Sequence, residues 1–264
     1  MSNLYVPELV KIVEIVKHNP KEWTFRAEVE TKGVKSGQFY EISMPKHGES
    51  PISVSGIDDN CLDFTIRAVG RVTEEIFKLQ VGDSLRLRGP YGNGFNVEDY
   101  EGKEIIVVAG GSGLAPVRGI MEYFYNNLEK CKNFTLICGF KSTADILFKD
   151  DIKKWSEKFN VIQTIDKEEE GYEGYVGLVT QYIPDLKIDD LSNVAAIAVG
   201  PPIMMKFTVA EFEKKNIQDK DIWVSYERKM SCGLGKCGHC KMDSTYICVD
   251  GPVFNYSFGK TLFD

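Results

Sequence analysis

The chain has 264 residues, 43% hydrophobic and 11% aromatic, enough for one large globular domain or two ordinary ones with full cores. A net charge of −7 and a pI near 5.2 exclude the basic face of a nucleic-acid binder. No apolar run approaches the roughly 20 residues of a membrane span, and the N-terminus lacks the basic and apolar regions of a secretory leader, so a cytoplasmic location is expected.

From residue 8 to 97 the pattern is one of short strands. Val10–Val16, Trp23–Val29, Gln38–Ser43, Cys61–Arg67 and Ser84–Arg88 alternate or are rich in β-formers. Gly33, Gly37, Gly48, Gly82 and Gly89-Pro90 punctuate them, which predicts a small antiparallel barrel with one short helix at Thr73–Leu79. Within it, Ser50-Pro51-Ile52-Ser53 reads as a strand whose hydroxyls and amides suit the edge of a flavin ring. Gly70-x-x-Thr73 reads as a turn opening a short helix, suited to a pyrophosphate, with Arg67 or Arg71 adding charge. An ordinary hairpin with surface arginines is the alternative for this segment. Gly89-Pro-Tyr-Gly-Asn-Gly-Phe95 is either a domain-joining turn or a loop near where flavin and nicotinamide meet.

The pattern changes at about residue 100. Glu104–Ala109 is a continuous apolar strand ended by Gly110-Gly111-Ser112-Gly113, and a helix follows at Ala115–Leu128. Strand Phe134–Cys138, helix Asp150–Lys158, strand Asn160–Ile165, helix Leu178–Tyr182, strand Val194–Val199, helix Ile203–Lys215 and strand Asp221–Ser225 come next. Buried strands alternating with helices predict a parallel sheet. Two strand–glycine–helix corners, at Gly110/Gly111/Gly113 and at Gly200-Pro201-Pro202-Ile-Met204, fit a nucleotide at the carboxyl ends of the strands. Met204 and Met205 equally suit a helix core.

The most specific signal is Cys232-x₄-Cys237-x₂-Cys240-x₇-Cys248. Four of the seven cysteines fall within seventeen residues, which fits a metal site in a reducing compartment rather than a disulfide framework. The order is that of the plant-type [2Fe–2S] pattern, and Gly233, Gly235 and Gly238 would let backbone N–H groups turn toward the sulfurs. A structural zinc cap is the alternative, with His239 able to replace one cysteine. No catalytic triad or paired-carboxylate site is evident, and no side chain is assigned a catalytic role.

Together these motifs resemble the ferredoxin–NADP reductase superfamily, in the branch holding the electron-transfer subunit of dihydroorotate dehydrogenase. The segments Val224–Cys240 and Cys248–Tyr256, with their short gap before Cys248, are most similar to the B subunits of anaerobic sulfite reductases. The resemblance implies an α+β, multi-domain chain: a flavin-binding β-barrel over 1–98, a Rossmann-like NAD(P) domain over 99–225 and a small iron–sulfur cap over 226–264. It implies FAD contacts from Pro51, Ile52, Ser53, Gly70 and Thr73, and nicotinamide-site contacts from Gly110, Gly111, Gly113, Gly200, Pro201 and Met204. It also implies that Cys232, Cys237, Cys240 and Cys248 hold a [2Fe–2S] cluster. The superfamily usually has Arg-x-Tyr-Ser/Thr on the flavin strand. Here Ser50-Pro-Ile-Ser53 stands there, and Arg67 or Arg71 would replace the charge. The implied activity is oxidation of NAD(P)H, with NADH favoured by Asp166 after a strand, and delivery of electrons to the catalytic and iron–sulfur subunits of a sulfite reductase. Dihydroorotate dehydrogenase, hydrogenase or ferredoxin-linked partners are the alternatives, and a nucleotide-binding adaptor with a zinc cap is the rival from another class.

Overall fold

Six antiparallel strands close a barrel at the start of the computed structural model, which describes residues 5–262. They are β1 (Glu8–Asn19), β2 (Glu22–Glu28), β3 (Phe39–Met44), β4 (Gly48–Ile57), β5 (Cys61–Arg67) and β6 (Ser84–Tyr91), in the order β1-β2-β5-β4-β3-β6. Alternation drives closure. Ile12, Phe25, Tyr40, Ile42, Leu62, Phe64, Ile66, Leu85 and Leu87 all point into one core. Helix α1 (Arg71–Ile76) plugs this core with Ile76. It begins two residues before the expected Thr73 because the Thr73 hydroxyl folds back on the turn. That oxygen accepts from the amides of Val69 and Gly70 at 3.1 Å each.

The second body is a seven-stranded sheet in the order β10-β9-β8-β7-β11-β12, with the strand Val253–Asn255 (β15) beside β12. Its parallel strands are β7 (Glu104–Gly110), β8 (Asn133–Phe140), β9 (Asn160–Ile165), β10 (Tyr175–Val176), β11 (Val194–Val199) and β12 (Ile222–Ser225). Helices α2 (Leu114–Asn126), α3 (Lys149–Trp155) and α4 (Pro202–Lys214) connect them. Every residue of β7 and β11 is buried, which is why these strands read as unbroken apolar runs. The helix expected at 178–182 is a single 3₁₀ turn, Val179–Tyr182, hemmed in by Gly177 and Pro184.

After β12 the chain leaves this sheet. Residues Glu227–Pro252 group with the barrel and contain a small hairpin, β13 (Lys241–Met242) and β14 (Thr245–Tyr246), and the one-turn helix α5 (Ile247–Asp250). The chain then returns as β15 (Val253–Asn255), antiparallel to β12 with Ser225 opposite Val253, and ends in α6 (Tyr256–Gly259). Phe254 lies between Tyr226 and Phe258, with tilted rings 5.9 and 5.8 Å apart between centroids. Phe254 and Tyr256 thus belong to the sheet body.

Candidate functional site

The two glycine corners meet at the carboxyl ends of adjacent strands, β7 and β11. From β7 the chain runs outward through β8, β9 and β10, then crosses back to β11 and continues the other way to β12. This is the topological switch point, where an open parallel sheet leaves a crevice for a ligand. Backbones touch there. A Cβ on Gly113 would lie 2.6 Å from the Val199 carbonyl oxygen and 2.8 Å from the Gly200 Cα. A Cβ on Gly110 would collide with the Met204 thioether, and its nearest other neighbour would be Pro201 Cδ at 3.2 Å. Gly110, Gly113, Gly200, Pro201 and Met204 are therefore brought together, with Gly111 at the open lip (φ +54) and no atom within 4 Å of its would-be Cβ. Met205 is buried in the helix core, while Met204 faces the glycines. Asp166 follows β9 and its amide donates to the Phe140 carbonyl at 3.0 Å.

On the barrel, Ser50–Ser53 pair with β3 on one side only. Ile42, Glu41, Tyr40 and Phe39 lie opposite them, whereas pairing of β4 with β5 starts at Val54. The other edge of this stretch is open and half-buried, which is where Pro51 costs no ladder bond. Such an edge offers backbone donors and acceptors to a planar ring. Arg67 and Arg71 are both exposed. Arg67 sits 3.9 Å from a Glu22 carboxylate oxygen, and Arg71 donates to the Lys46 carbonyl at 3.4 Å. Gly70 and Thr73 form the capped turn described above, so the Thr73 hydroxyl is engaged by its own backbone.

The four cysteines of the C-terminal segment lie near one another, with Cys232 also acting on Cys248. The Cys237 thiol lies within hydrogen-bond reach of Cys232, and Cys240 within reach of Cys248. Among the described residues no three His, Cys, Asp or Glu side chains gather around one point as a single-ion site. Four thiols at this spacing suit two irons, each taking two thiolates. Gly233, Gly235 and Gly238 have φ of +70, +65 and +77, and the chain reversals turn amides onto sulfur. Leu234 N–H donates to Cys232 Sγ at 3.3 Å, Gly235 N–H to Cys248 Sγ at 3.3 Å and His239 N–H to Cys237 Sγ at 3.5 Å. Burial opposes ionisation of Cys232, but the amides of Leu234, Lys236 and Cys237 bring its thiol down to about 6. Burial and the neighbouring Cys240 push Cys248 up to about 12. The His239 side chain is exposed, as a surface residue.

This segment rests on the outer wall of the barrel, and the residues beneath it were not among those the sequence singles out. Along β6, Leu85 and Leu87 point inward, so alternation sends Arg86 and Arg88 outward. Arg88 is nevertheless only 5% exposed, because residues 231–233 cover it. Its cross-strand partner Glu41 is fully buried for the same reason, and neither carboxylate oxygen has a hydrogen-bond partner. Burial, aided by Glu49, pushes the Glu41 carboxyl up to about 7 against the pull of Arg88. The Gly89–Phe95 motif belongs to the same support. Asn93 N–H donates to the Gly251 carbonyl at 2.7 Å and the Asn93 amide to the Asp250 carbonyl at 3.1 Å. The motif thus holds the far end of the cysteine segment.

Comparison with known proteins fits this geometry. The oxidoreductase NAD-binding domain family matches residues 107–210, and the iron–sulfur cluster binding domain of dihydroorotate dehydrogenase B matches residues 227–257. The chain is 34% identical to sulfhydrogenase 1 subunit gamma of Pyrococcus furiosus over 97% of this chain and 92% of that one. It is 34% identical to the electron transfer subunit of dihydroorotate dehydrogenase B (NAD(+)) from Clostridium acetobutylicum, over 84% of each. A chain of the NADH-dependent reduced ferredoxin–NADP oxidoreductase superposes with a TM-score of 0.79 at 27% identity, covering 95% of this chain and 89% of that one. The fold and the two matched domains make FAD, a [2Fe–2S] cluster and NADH the cofactors of this chain. Among the described residues no helix is long and apolar enough to cross a membrane. The chain belongs to the ferredoxin–NADP reductase-like family of NAD-binding, iron–sulfur electron-transfer subunits that includes sulfhydrogenase gamma and the dihydroorotate dehydrogenase B subunit.

Proposed function

We propose that the chain is the NADH-oxidising electron-transfer subunit of an anaerobic sulfite reductase, supplying the catalytic and iron–sulfur subunits that reduce sulfite to sulfide. When bound, NADH supplies a hydride, FAD converts a two-electron input into single electrons, and the [2Fe–2S] cluster carries one electron at a time. The protein's share is placement. Gly110, Gly111, Gly113, Gly200, Pro201 and Met204 would line the nicotinamide crevice. Pro51, Ile52 and Ser53 would meet the flavin ring along the open edge of β4, with Gly70, Thr73 and either Arg67 or Arg71 toward its phosphates. Cys232, Cys237, Cys240 and Cys248 would hold the cluster. No side chain needs to act as a general acid or base.

One observation carries the relay. Strand β3 lies between β4 and β6, pairing through Glu41 with Pro51 on one side and with Arg88 on the other, and Arg88 holds the Cys232 carbonyl. The candidate flavin edge and the residue that holds the first cysteine are therefore on the same barrel, with the Pro51 and Arg88 backbones two strand spacings apart, or about 10 Å. The sulfite-reducing partner is supported by the short Cys240–Cys248 gap, which the two-residue strands β13 and β14 and helix α5 close, and by the C-terminal resemblance. A hydrogenase partner is the second reading, favoured by the near-full-length likeness to sulfhydrogenase gamma. Purification of the native complex, followed by assay of NADH-dependent sulfite reduction, hydrogen production and dihydroorotate turnover, separates them. Co-purification with a hydrogenase and no sulfite-dependent NADH oxidation would overturn the sulfite assignment. A colourless chain with one zinc would overturn the relay itself.

A further inference from the structure

Arg88 has every donor engaged. Its Nε donates to Glu49 Oε1 at 2.9 Å, and Nη2 donates to Glu49 Oε2 at 2.5 Å and to the Ser231 carbonyl at 3.2 Å. Nη1 donates to the Tyr91 hydroxyl at 2.9 Å and to the Cys232 carbonyl at 3.0 Å. Five N–H groups meet five acceptors, the full capacity of a guanidinium. Although Glu49 itself stays partly exposed, burying the guanidinium of this pair carries a desolvation cost. Its return here is geometric, because two of the five acceptors are main-chain carbonyls at the first cysteine. The neighbouring residue depends on the same support. Gly233 turns with φ +70, and a Cβ there would lie 2.6 Å from the Tyr91 ring, which Arg88 holds by its hydroxyl. The reversal at Gly233 is what delivers the Leu234 amide to Cys232 Sγ.

We propose that Arg88 is a positioning residue for the iron–sulfur site: by pinning the Ser231 and Cys232 carbonyls and the Tyr91 ring, it sets the amide-to-sulfur contact at Cys232 and thereby raises the reduction potential of the cluster. This inference rests on the cysteine ligation given under Proposed function. An N–H donor stabilises the more negative, reduced cluster, so its loss makes the cluster harder to reduce. Lysine keeps the charge but has three donors on a flexible stem and cannot serve five acceptors in a plane.

The test compares wild type, Arg88→Lys and Arg88→Gln in the full chain. Iron and flavin content, the midpoint potential by spectroscopically monitored redox titration, and amide hydrogen exchange over residues 231–240 are measured together. Arg88→Lys is expected to keep its flavin, exchange faster at 231–237 and shift the one-electron equilibrium tenfold or more toward the oxidised cluster, about 59 mV. Loss of iron with flavin retained also supports the positioning role. A wild-type midpoint and wild-type exchange in Arg88→Lys would overturn the proposal. Loss of both flavin and iron in that variant would also overturn it, by making Arg88 a requirement of the barrel itself. Wild-type protein lacking iron would refute the ligation, not the pinning, and the exchange comparison would then decide the role of Arg88 alone.

Discussion

Replacing Glu41 with Gln should flatten the pH dependence of barrel stability. Glu41 lies opposite Arg88, yet all five guanidinium donors go elsewhere, so both carboxylate oxygens stay unpartnered in a buried place. Burial and Glu49 raise its pKa from 4.5 to about 7. Between those two values the folded chain binds a proton that the unfolded chain has released, so folding is favoured below about pH 4.5 and loses ground as pH rises through 7. That gap corresponds to about 3 kcal/mol. Gln carries an unpartnered amide at every pH. The informative quantity is therefore the change in stability between pH 4.5 and pH 8, not its absolute value. Pulsed hydrogen exchange along a urea series, read on peptides from β3 and β5, isolates the barrel from the sheet body. Wild type is expected to lose about 3 kcal/mol more than Glu41→Gln across that interval. Equal slopes in the two proteins would refute the reasoning.

Other perturbations reach the remaining parts of the relay. Gly113→Ala drives a methyl into the Val199 carbonyl and the Gly200 backbone, so NADH-dependent flavin bleaching should slow sharply, with about 1–3 kcal/mol lost from the sheet body; unchanged stopped-flow rates would count against the crevice. Cys237→Ser should abolish electron delivery to the partner and reduce iron content while leaving flavin reduction by NADH intact; equal loss of both activities would make the cluster mainly structural. Gly233→Ala combines a left-handed residue, about 1–2 kcal/mol, with a collision against the Tyr91 ring, and should lower iron retention under chelator challenge. Thr73→Val removes the acceptor for two amides of the Gly70 turn, about 1–2 kcal/mol, and should weaken flavin retention in dilution assays.

Much of the fold was legible because burial leaves a periodic trace. The unbroken apolar runs of β7 and β11 announce strands covered on both faces, and the alternation in β2, β3 and β5 announces a one-sided core. The glycine corners were legible because close backbone approach restricts residue type at fixed distances. Arg88 and Glu41 were not. Alternation sends both outward, and an outward charge in a strand reads as solvated. What covers Arg88 is a segment about 140 residues later, visible only once the chain has folded back. The three residues of β15 are too few to show a period, and composition does not reveal how residues 226–264 are shared between two bodies.

The return of the chain at β15 gives the cysteine segment the topology of a cassette. Its two ends, Ser225 and Val253, are register partners in neighbouring strands, so everything between them is an excursion from a hairpin in the nucleotide-binding sheet. An insertion of this form can lengthen, shorten or vanish without disturbing the strands that launch and receive it. Replacing residues 227–252 with a short turn should therefore leave a folded sheet body.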